Sequence, residues 1–227
     1  MSKLKRMKLI APWHQEDLRR ERATRMRFTR ALQTGNAAAF FGSLRKLEQV
    51  YGGLRWALRK ASKVVQVDSK IKEACLKVWI AYGDHLRQEV NDDLLLIRAL
   101  RVFLPRYDGP ARTLYRGESA YNWKRRTYGL SWSSRLDVAD HYGKTGMYRT
   151  FDGGSVVLEV QANQDAIICA PLNHDNRYCE DEYLVDRLKL VGVKVLHRYP
   201  QMSNDEYFSK GPGLAIDHRK LRRDYKD

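Results

Sequence analysis

The sequence predicts an α+β protein in which a helical N-terminal lobe is followed by a strand-rich core. From about residue 15 to residue 104, apolar residues recur three and four positions apart, as they do along one face of a helix. After Pro105 the chain changes to short runs of β-branched and aromatic residues separated by turn residues, which is typical of strands. No repeat or low-complexity linker divides the two regions. We therefore expect one compact unit, with the lobe at 1–110, the core at 111–210 and a basic tail at 211–227.

Each predicted helix of the lobe has a capping residue before its apolar stripe. Asn36 precedes the first stripe, which the glycine pair at 52–53 weakens and can divide. Asp68 precedes the second stripe, and Asn91 with Asp92 and Asp93 opens a third that Pro105 ends. The stripes consist of Phe40, Phe41, Leu44, Leu47, Tyr51 and Leu54, then of Ile71, Cys75, Val78 and Tyr82, then of residues 94–104. Such stripes are typical of a helical core, and we assign no chemistry to them.

Six strands and one short helix are expected after Pro105. The helix begins at a Ser-x-x-Asp capping box that starts at Ser134, and it is expected to stop at Gly143. It lies between the second and third strands, so the core mixes helix with sheet. The expected strands are 113–115, 129–132, 155–160, 166–169, 183–186 and 189–197.

The positive charge is concentrated near the N-terminus. The 227-residue chain has a formal net charge of +15. Residues 1–60 hold 15 Lys and Arg against 4 Asp and Glu, a net charge of +11, so the remaining 167 residues contribute +4. Such a field suits a polyanion such as nucleic acid, because neutralised phosphates release counterions. The alternatives are solvated helix faces or a surface covered by an acidic protein, and no named nucleic-acid motif accompanies the charge.

Several classes of protein are not expected. Residues 1–10 alternate basic and apolar side chains without the apolar segment of a signal peptide, and no stretch approaches the ~18 apolar residues that span a bilayer. The three cysteines, Cys75, Cys169 and Cys179, leave one thiol unpaired in any pairing and lack the spacing of zinc ligands. We expect a soluble, cytoplasmic protein with no structural metal and no membrane partner.

Four acidic residues crowd the stretch CEDEYLVD, residues 179–186, of this basic chain. Alternation along a strand would put Glu180 and Glu182 on one side and Asp181 on the other, so the two glutamates would form a pair. Paired carboxylates repel, which leaves one able to hold a proton and the other charged, as acid–base chemistry and cation stabilisation require. The alternative is a solvated strand entrance that discourages sheet pairing.

Two further segments at the ends of predicted strands precede these glutamates. In LYRG, residues 114–117, Arg116 comes before Gly117, where a guanidinium can fork onto a phosphate that approaches the backbone closely. In LSWSS, residues 130–134, hydroxyl groups end a strand just before the short helix. Each segment is common by itself, but the three in this order on three strand ends are much less so.

Arginine, serines and paired glutamates in this order resemble the arginine-serine-glutamate branch of the mono-ADP-ribosyltransferases, a group that includes many bacterial toxins and phage-encoded transferases. The resemblance covers about residues 111 to 197 and implies an ADP-ribosyltransferase-like core. It implies that Arg116, with Gly117, contacts the phosphate of NAD+. It also matches Ser131 and Ser133 to the family's Ser-Thr-Ser motif, in which Trp132 replaces the usual threonine. The first serine would brace the nicotinamide-side pocket and orient the catalytic glutamate.

The family's Glu-x-Glu motif makes Glu182 the expected catalyst and Glu180 its acceptor-side partner. Loss of nicotinamide from NAD+ leaves an oxocarbenium-like ribose, which a carboxylate that grips a ribose hydroxyl can stabilise. A second carboxylate can then deprotonate or orient the acceptor. NAD+ would be a substrate, and no metal is called for.

The resemblance assigns the acceptor to the loop before the glutamates, residues 172–179. There Tyr178 can stack on a guanidinium or a base, or simply pack the loop. The glycine-rich segment 144–154 would be the mobile loop over the phosphates and the nicotinamide. Tyr121 and Trp123 would line the NAD+ pocket or, alternatively, pack in the core. His141 and His174 lie outside the resemblance and receive no role.

The predicted function is therefore transfer of ADP-ribose from NAD+ to a macromolecule, by a bacterial toxin or phage effector in the cytoplasm of a bacterium or an infected host cell. The Glu-x-Glu form favours a protein arginine as acceptor, whereas the N-terminal charge favours RNA or DNA. An acidic inhibitor or antitoxin is a possible partner of the basic face. The competing hypothesis is a non-catalytic, basic nucleic-acid-binding protein that retains a degenerate transferase fold.

Overall fold

A computed structural model describes residues 12–64, 66–145, 147–170 and 180–209. The chain divides into two compact units, Met1–Leu104 and Pro105–Asp227, and each is described by itself below. The division falls after residue 104, near the boundary expected at residue 110. The expectation that the chain forms one compact unit stays a prediction, and the basic tail lies outside the described residues.

The regular structure described in the first unit is helical. The helices are α1 (Pro12–Thr34), α2 (Ala37–Glu48), α3 (Gly53–Ala61), α4 (Ser69–Val90) and α5 (Asp93–Phe103). The side chains of Asn36, Asp68 and Asp92 cap α2, α4 and α5 by accepting backbone N–H groups of the first turn, as the sequence predicts. Gly52, whose φ is 69°, separates α2 from α3 and confirms that the first stripe is divided.

Aromatic rings form the centre of this helical core. The Phe40 ring lies 5.0 Å from that of Phe28 and 5.4 Å from that of Phe103, measured between centroids, and all three side chains are buried. The burial of Phe40 and Phe103 confirms that the first and third stripes face a core.

Three apolar residues of the expected stripes are exposed instead: Tyr51, Tyr82 and Leu94. Tyr51 lies beyond the end of α2, and Tyr82 has non-helical backbone angles inside α4. Leu94 begins a run of four consecutive apolar residues, which cannot all face one side of a helix. In each case the regular helical period on which the prediction relied does not apply.

The second unit combines one antiparallel sheet with short helices. In chain order its elements are β1 (Arg112–Ser119), α6 (Ala120–Arg125), β2 (Ser131–Ser133), α7 (Leu136–Thr145), β3 (Ser155–Ala162), β4 (Ile167–Cys169), β5 (Glu182–Val185), β6 (Lys194–Tyr199) and α8 (Asn204–Ser209). The strand order is β4-β5-β2-β1-β3-β6, and every neighbouring pair is antiparallel. This mixture of helix and antiparallel sheet confirms the α+β class, and all six expected strands are present with shifted ends.

The short helix α7 differs from its prediction at both ends. Ser134 does not form the expected capping box, since its hydroxyl donates to the Asp181 carboxylate at 3.2 Å. Gly143 does not stop the helix, which continues to Thr145. A side chain at Gly143 would press on Val157 of β3, so the glycine allows the helix to lie close to the sheet.

The two faces of the sheet have different coverings. On one face, Leu114, Trp132 and Leu158 belong to a buried apolar cluster. On the other face, α7 lies against β1 at Gly117, where an added Cβ atom would meet the main chain of α7, including the Ala139 carbonyl oxygen at 2.5 Å. Gly117 therefore sets how closely the helix approaches the sheet.

None of the helices in the described ranges is both long enough and apolar enough to cross a membrane.

Replacement of Gly117 by alanine is expected to destabilise the second unit by about 1–3 kcal/mol, because the new methyl group meets helix backbone that cannot rotate away. Urea denaturation monitored by circular dichroism would measure the loss. Gly42→Ala is the matched control: that site in α2 has nothing within 4 Å, so the change should be neutral or stabilise by up to about 1 kcal/mol. Equal effects of the two variants would contradict this account of Gly117.

Candidate active site

The sheet brings the three sequence motifs together. Arg116 lies on β1, the serines lie on β2, and Glu182 begins β5. These three strands are neighbours in the sheet, with β2 between β5 and β1. Ser133 pairs with Tyr115 on one side and with Glu182 on the other. Segments separated by about 15 and 50 residues in the chain thus meet at one position of the sheet.

Arg116 spans the place where β1 and β2 part, since the two strands pair only at Tyr115 and Ser133. Its guanidinium donates to the Glu118 carboxylate at 2.9 Å, to the Ser131 carbonyl oxygen at 2.5 Å and to the Tyr148 hydroxyl at 3.0 Å. Only 10% of its side chain is exposed. Arg116, the residue expected to contact a phosphate, is therefore buried and hydrogen-bonded within the second unit.

The partner of Arg116 is a fully buried carboxylate. Glu118 also accepts from the backbone N–H groups of Ser119 and Gly129 and from the Asn122 amide, at 2.8–3.0 Å. Burial raises the pKa of Glu118, but the Arg116 charge and the hydrogen bonds lower it by more, so the pKa lies below its ordinary value of 4.5. The carboxylate is thus held charged inside the unit.

The structure gives Gly117 and Ser131 neighbours that the sequence did not predict. The side of Gly117 expected to admit a phosphate lies against the main chain of α7. Ser131 pairs with Leu184, whereas Ser133 is the serine opposite Glu182. The phosphate role of Gly117 and the bracing role of Ser131 stay predictions, but geometry favours Ser133 for orienting the glutamates.

Ser133 and Ser134 hold the chain that carries the glutamates. The Ser133 hydroxyl donates to the Glu180 carbonyl oxygen at 2.6 Å, and the Ser134 N–H donates to the Asp181 carbonyl oxygen at 3.1 Å. Asp181 has a φ of 45°, in the left-handed region, so the backbone is not extended there. The simple alternation expected for residues 180–182 is therefore wrong.

The two glutamates nevertheless lie near one side chain, Tyr142 of α7. Its hydroxyl donates to Glu180 Oε1 at 2.9 Å. Burial, followed by the charges of Glu180 and Glu182, raises the pKa of the Tyr142 phenol well above its ordinary value of 10.0. On β4, burial and the Glu182 charge raise the pKa of the Cys169 thiol to about 12. Both neighbours stay protonated at neutral pH beside a carboxylate pair.

The remaining aromatic candidates fall into three groups. Trp132 is 2% exposed and points into the apolar cluster, away from the two serines, as strand alternation predicts. Trp123 packs against the same cluster beneath the guanidinium of Arg198, which favours the core alternative, and Tyr121 is exposed beneath Arg125. Tyr178 lies outside the described residues, with the whole acceptor loop.

The segment expected as a loop over NAD+ is partly helical. Residues 144–145 complete α7, and Met147–Thr150 form a 3-10 turn that carries Tyr148. The Arg149 side chain connects this turn to α7 and to the residue after β6, because it donates to the Lys144 and Pro200 carbonyl oxygens. His141 contacts the Tyr142 ring, with centroids 6.3 Å apart, and His174 lies outside the described residues.

In the part of the chain that the structure describes, no group of three His, Cys, Asp or Glu side chains lies close enough together to hold a metal ion. The acidic groups that do converge, Glu180 and Glu182, suit stabilisation of an organic cation and removal of a proton.

No protein-family model, curated protein or solved structure matches this chain.

Sequence reasoning missed Glu118, Tyr142 and Tyr148. Glu118 had a usable signal, because residues two apart on a strand share a side, and a buried arginine two residues earlier needs a carboxylate. Tyr142 and Tyr148 had no local signal in the sequence. Tyr142 contacts Glu180, 38 residues away, and Tyr148 contacts Arg116, 32 residues away.

Glu118→Gln is expected to destabilise the second unit by about 3–5 kcal/mol, because it leaves the Arg116 charge buried without its counter-charge. Asp165→Asn is the control, since it removes an exposed ion pair with Lys189 and should cost at most about 1 kcal/mol. Urea denaturation at pH 7 would compare them.

The ion pair between Arg116 and Glu118 should also make the stability of the second unit depend on pH in acid. Because the folded-state pKa of Glu118 is depressed, its stabilising effect is complete above the ordinary value of 4.5 and is lost as the pH falls through the folded-state pKa. The native protein should therefore lose stability below about pH 4.5, and Glu118→Gln should weaken this dependence. If the stability of Glu118→Gln fell with pH as steeply as that of the native protein, Glu118 would not be charged in the folded state.

Proposed function

We propose that this chain is a mono-ADP-ribosyltransferase that moves ADP-ribose from NAD+ to a macromolecular acceptor. The carrying observation is that the arginine, serine and glutamate motifs, distant in the chain, lie on the adjacent strands β1, β2 and β5 with Ser133 opposite Glu182. The proposal extends the sequence resemblance, and this arrangement supports it.

The proposed reaction breaks the bond between ribose C1′ and the nicotinamide nitrogen. The bonding electron pair leaves with nicotinamide, which becomes neutral, and the ribose takes up the positive charge. Glu182 stabilises this cation. An acceptor N–H or O–H group then bonds to C1′ and gives its proton to Glu180, which releases it to water. The balance is NAD+ and acceptor giving ADP-ribosyl acceptor, nicotinamide and a proton.

In this proposal a phosphate of NAD+ reaches Arg116 by replacing one of its present partners. Glu118 is a poor candidate for replacement because it is fully buried and carries the counter-charge. The Ser131 carbonyl oxygen belongs to the main chain of a strand. The Tyr148 hydroxyl is neutral and sits on a side chain in a 3-10 turn, so its exchange for a phosphate oxygen is the least costly.

The second candidate is the non-catalytic one, a basic nucleic-acid-binding protein. The internal contacts of Arg116 favour it, because a buried guanidinium that donates to three protein groups is accounted for by a structural role. In this case the native chain would bind RNA and consume no NAD+.

Glu182→Gln is expected to lower NAD+ consumption by about 100-fold or more, because an uncharged amide cannot offset the ribose cation. Release of nicotinamide from NAD+ would measure it. Glu159→Gln on β3 is the matched control, and it should retain native activity. Equal activity of native protein and Glu182→Gln would overturn the catalytic assignment, and RNA binding by both without NAD+ consumption would establish the second candidate.

The acceptor can be identified with labelled NAD+ and a bacterial lysate treated afterwards with nuclease or with protease. A protein arginine acceptor predicts label that survives nuclease and is lost to protease, and an RNA or DNA acceptor predicts the reverse. Nucleic-acid modification should also weaken steeply with rising salt, because counterion release contributes to binding. Mass spectrometry of the labelled material would name the modified group.

A further inference from the structure

Tyr142 of α7 contacts the carboxylate of the acceptor-side glutamate, Glu180. Its hydroxyl lies 2.9 Å from Glu180 Oε1, across 38 residues of sequence. The main chain of Glu180 is held separately, because its carbonyl oxygen accepts from the Ser133 hydroxyl at 2.6 Å. Glu180 thus has one contact that fixes its backbone and another that fixes its carboxylate.

The helix that carries Tyr142 is itself tightly placed. Its main chain at residue 142 lies against Gly117, next to Arg116 on β1. The following residue, Gly143, accepts a hydrogen bond from the Ser155 hydroxyl of β3. Two residues before Tyr142, Asp140 accepts from Tyr199 of β6 at 2.5 Å. Contacts with three strands therefore fix where the Tyr142 hydroxyl can lie.

The protonation state of the phenol suits a donor. Burial and the charges of Glu180 and Glu182 keep the pKa of Tyr142 above its ordinary value of 10.0. The hydroxyl therefore keeps its proton at neutral pH and donates to the carboxylate, so it cannot be the base that takes a proton from the acceptor.

We propose that Tyr142 is a positioning residue that holds the Glu180 carboxylate where it receives the acceptor's proton, while Glu182 works at the ribose without it. This inference rests on the proposed function. It predicts a split between two activities, because transfer to an acceptor needs both glutamates, whereas hydrolysis of NAD+ by water depends chiefly on Glu182.

The test compares the native chain with Tyr142→Phe, which removes only the hydroxyl. Labelled NAD+ with a bacterial lysate measures transfer, and nicotinamide release without lysate measures hydrolysis. Transfer should fall about tenfold or more, as expected for loss of a hydrogen bond to a charged group, and hydrolysis should change less than about twofold. Addition of Tyr142→Phe to Glu180→Gln should cause no further loss of transfer.

The pH profile separates positioning from general loosening of the helix. A donated hydrogen bond favours the charged carboxylate and so lowers its pKa. Tyr142→Phe should therefore move the acidic limb of the transfer rate to higher pH. Tyr107→Phe is the matched control: it also removes one tyrosine hydrogen bond in the second unit, the one to the Pro110 carbonyl oxygen, and it should leave both activities and the acidic limb as in the native chain.

Each outcome is decisive. Selective loss of transfer with a shifted acidic limb supports the inference. Equal loss of transfer and hydrolysis, or behaviour of Tyr142→Phe like that of Tyr107→Phe, overturns the inference while the proposed function stands. A native chain that neither transfers ADP-ribose nor hydrolyses NAD+ overturns the proposed function, and the inference with it.

Discussion

The register of the three-residue strand β2 is the constraint on which the candidate site depends. Ser133 pairs with Tyr115 of β1 and with Glu182 of β5, and Trp132 between the serines points into the apolar cluster. A slip by one residue would turn Trp132 towards the glutamates and the serines into the core. Burial of a tryptophan at 2% exposure makes that slip costly, so a packing residue fixes the position of two hydroxyls.

Arg116 has both a structural and a proposed chemical role. Its ion pair with Glu118 lies inside the second unit, where an uncompensated charge would be far less stable than a paired one. The same guanidinium lies where β1 and β2 separate, beside the strand that carries the serines. A group placed by a buried partner keeps its orientation when another ligand arrives, which is a property that phosphate recognition uses.

Helix α7 connects the two ends of the candidate site. It lies against Gly117, next to the arginine, and its Tyr142 reaches Glu180. Both contacts depend on how closely the helix approaches the sheet, and two glycines, Gly117 and Gly143, permit that approach. The spacing between the arginine and the glutamates is therefore set by helix packing as well as by the strand order.

Much of this protein was determined by local sequence. Capping side chains such as Asn36, apolar periodicity and turn residues identified the helical lobe, the short helix α7, the six strands and the α+β class, because these signals act over a few residues. The short helices α6 and α8 were not predicted. The motif residues were also identified locally. The left-handed backbone at Asp181, the helix that runs through Gly143 and the contacts of Tyr142 were decided only by tertiary structure. They arise from groups far apart in the chain, whose packing overrides local preference and leaves no periodic trace in the sequence.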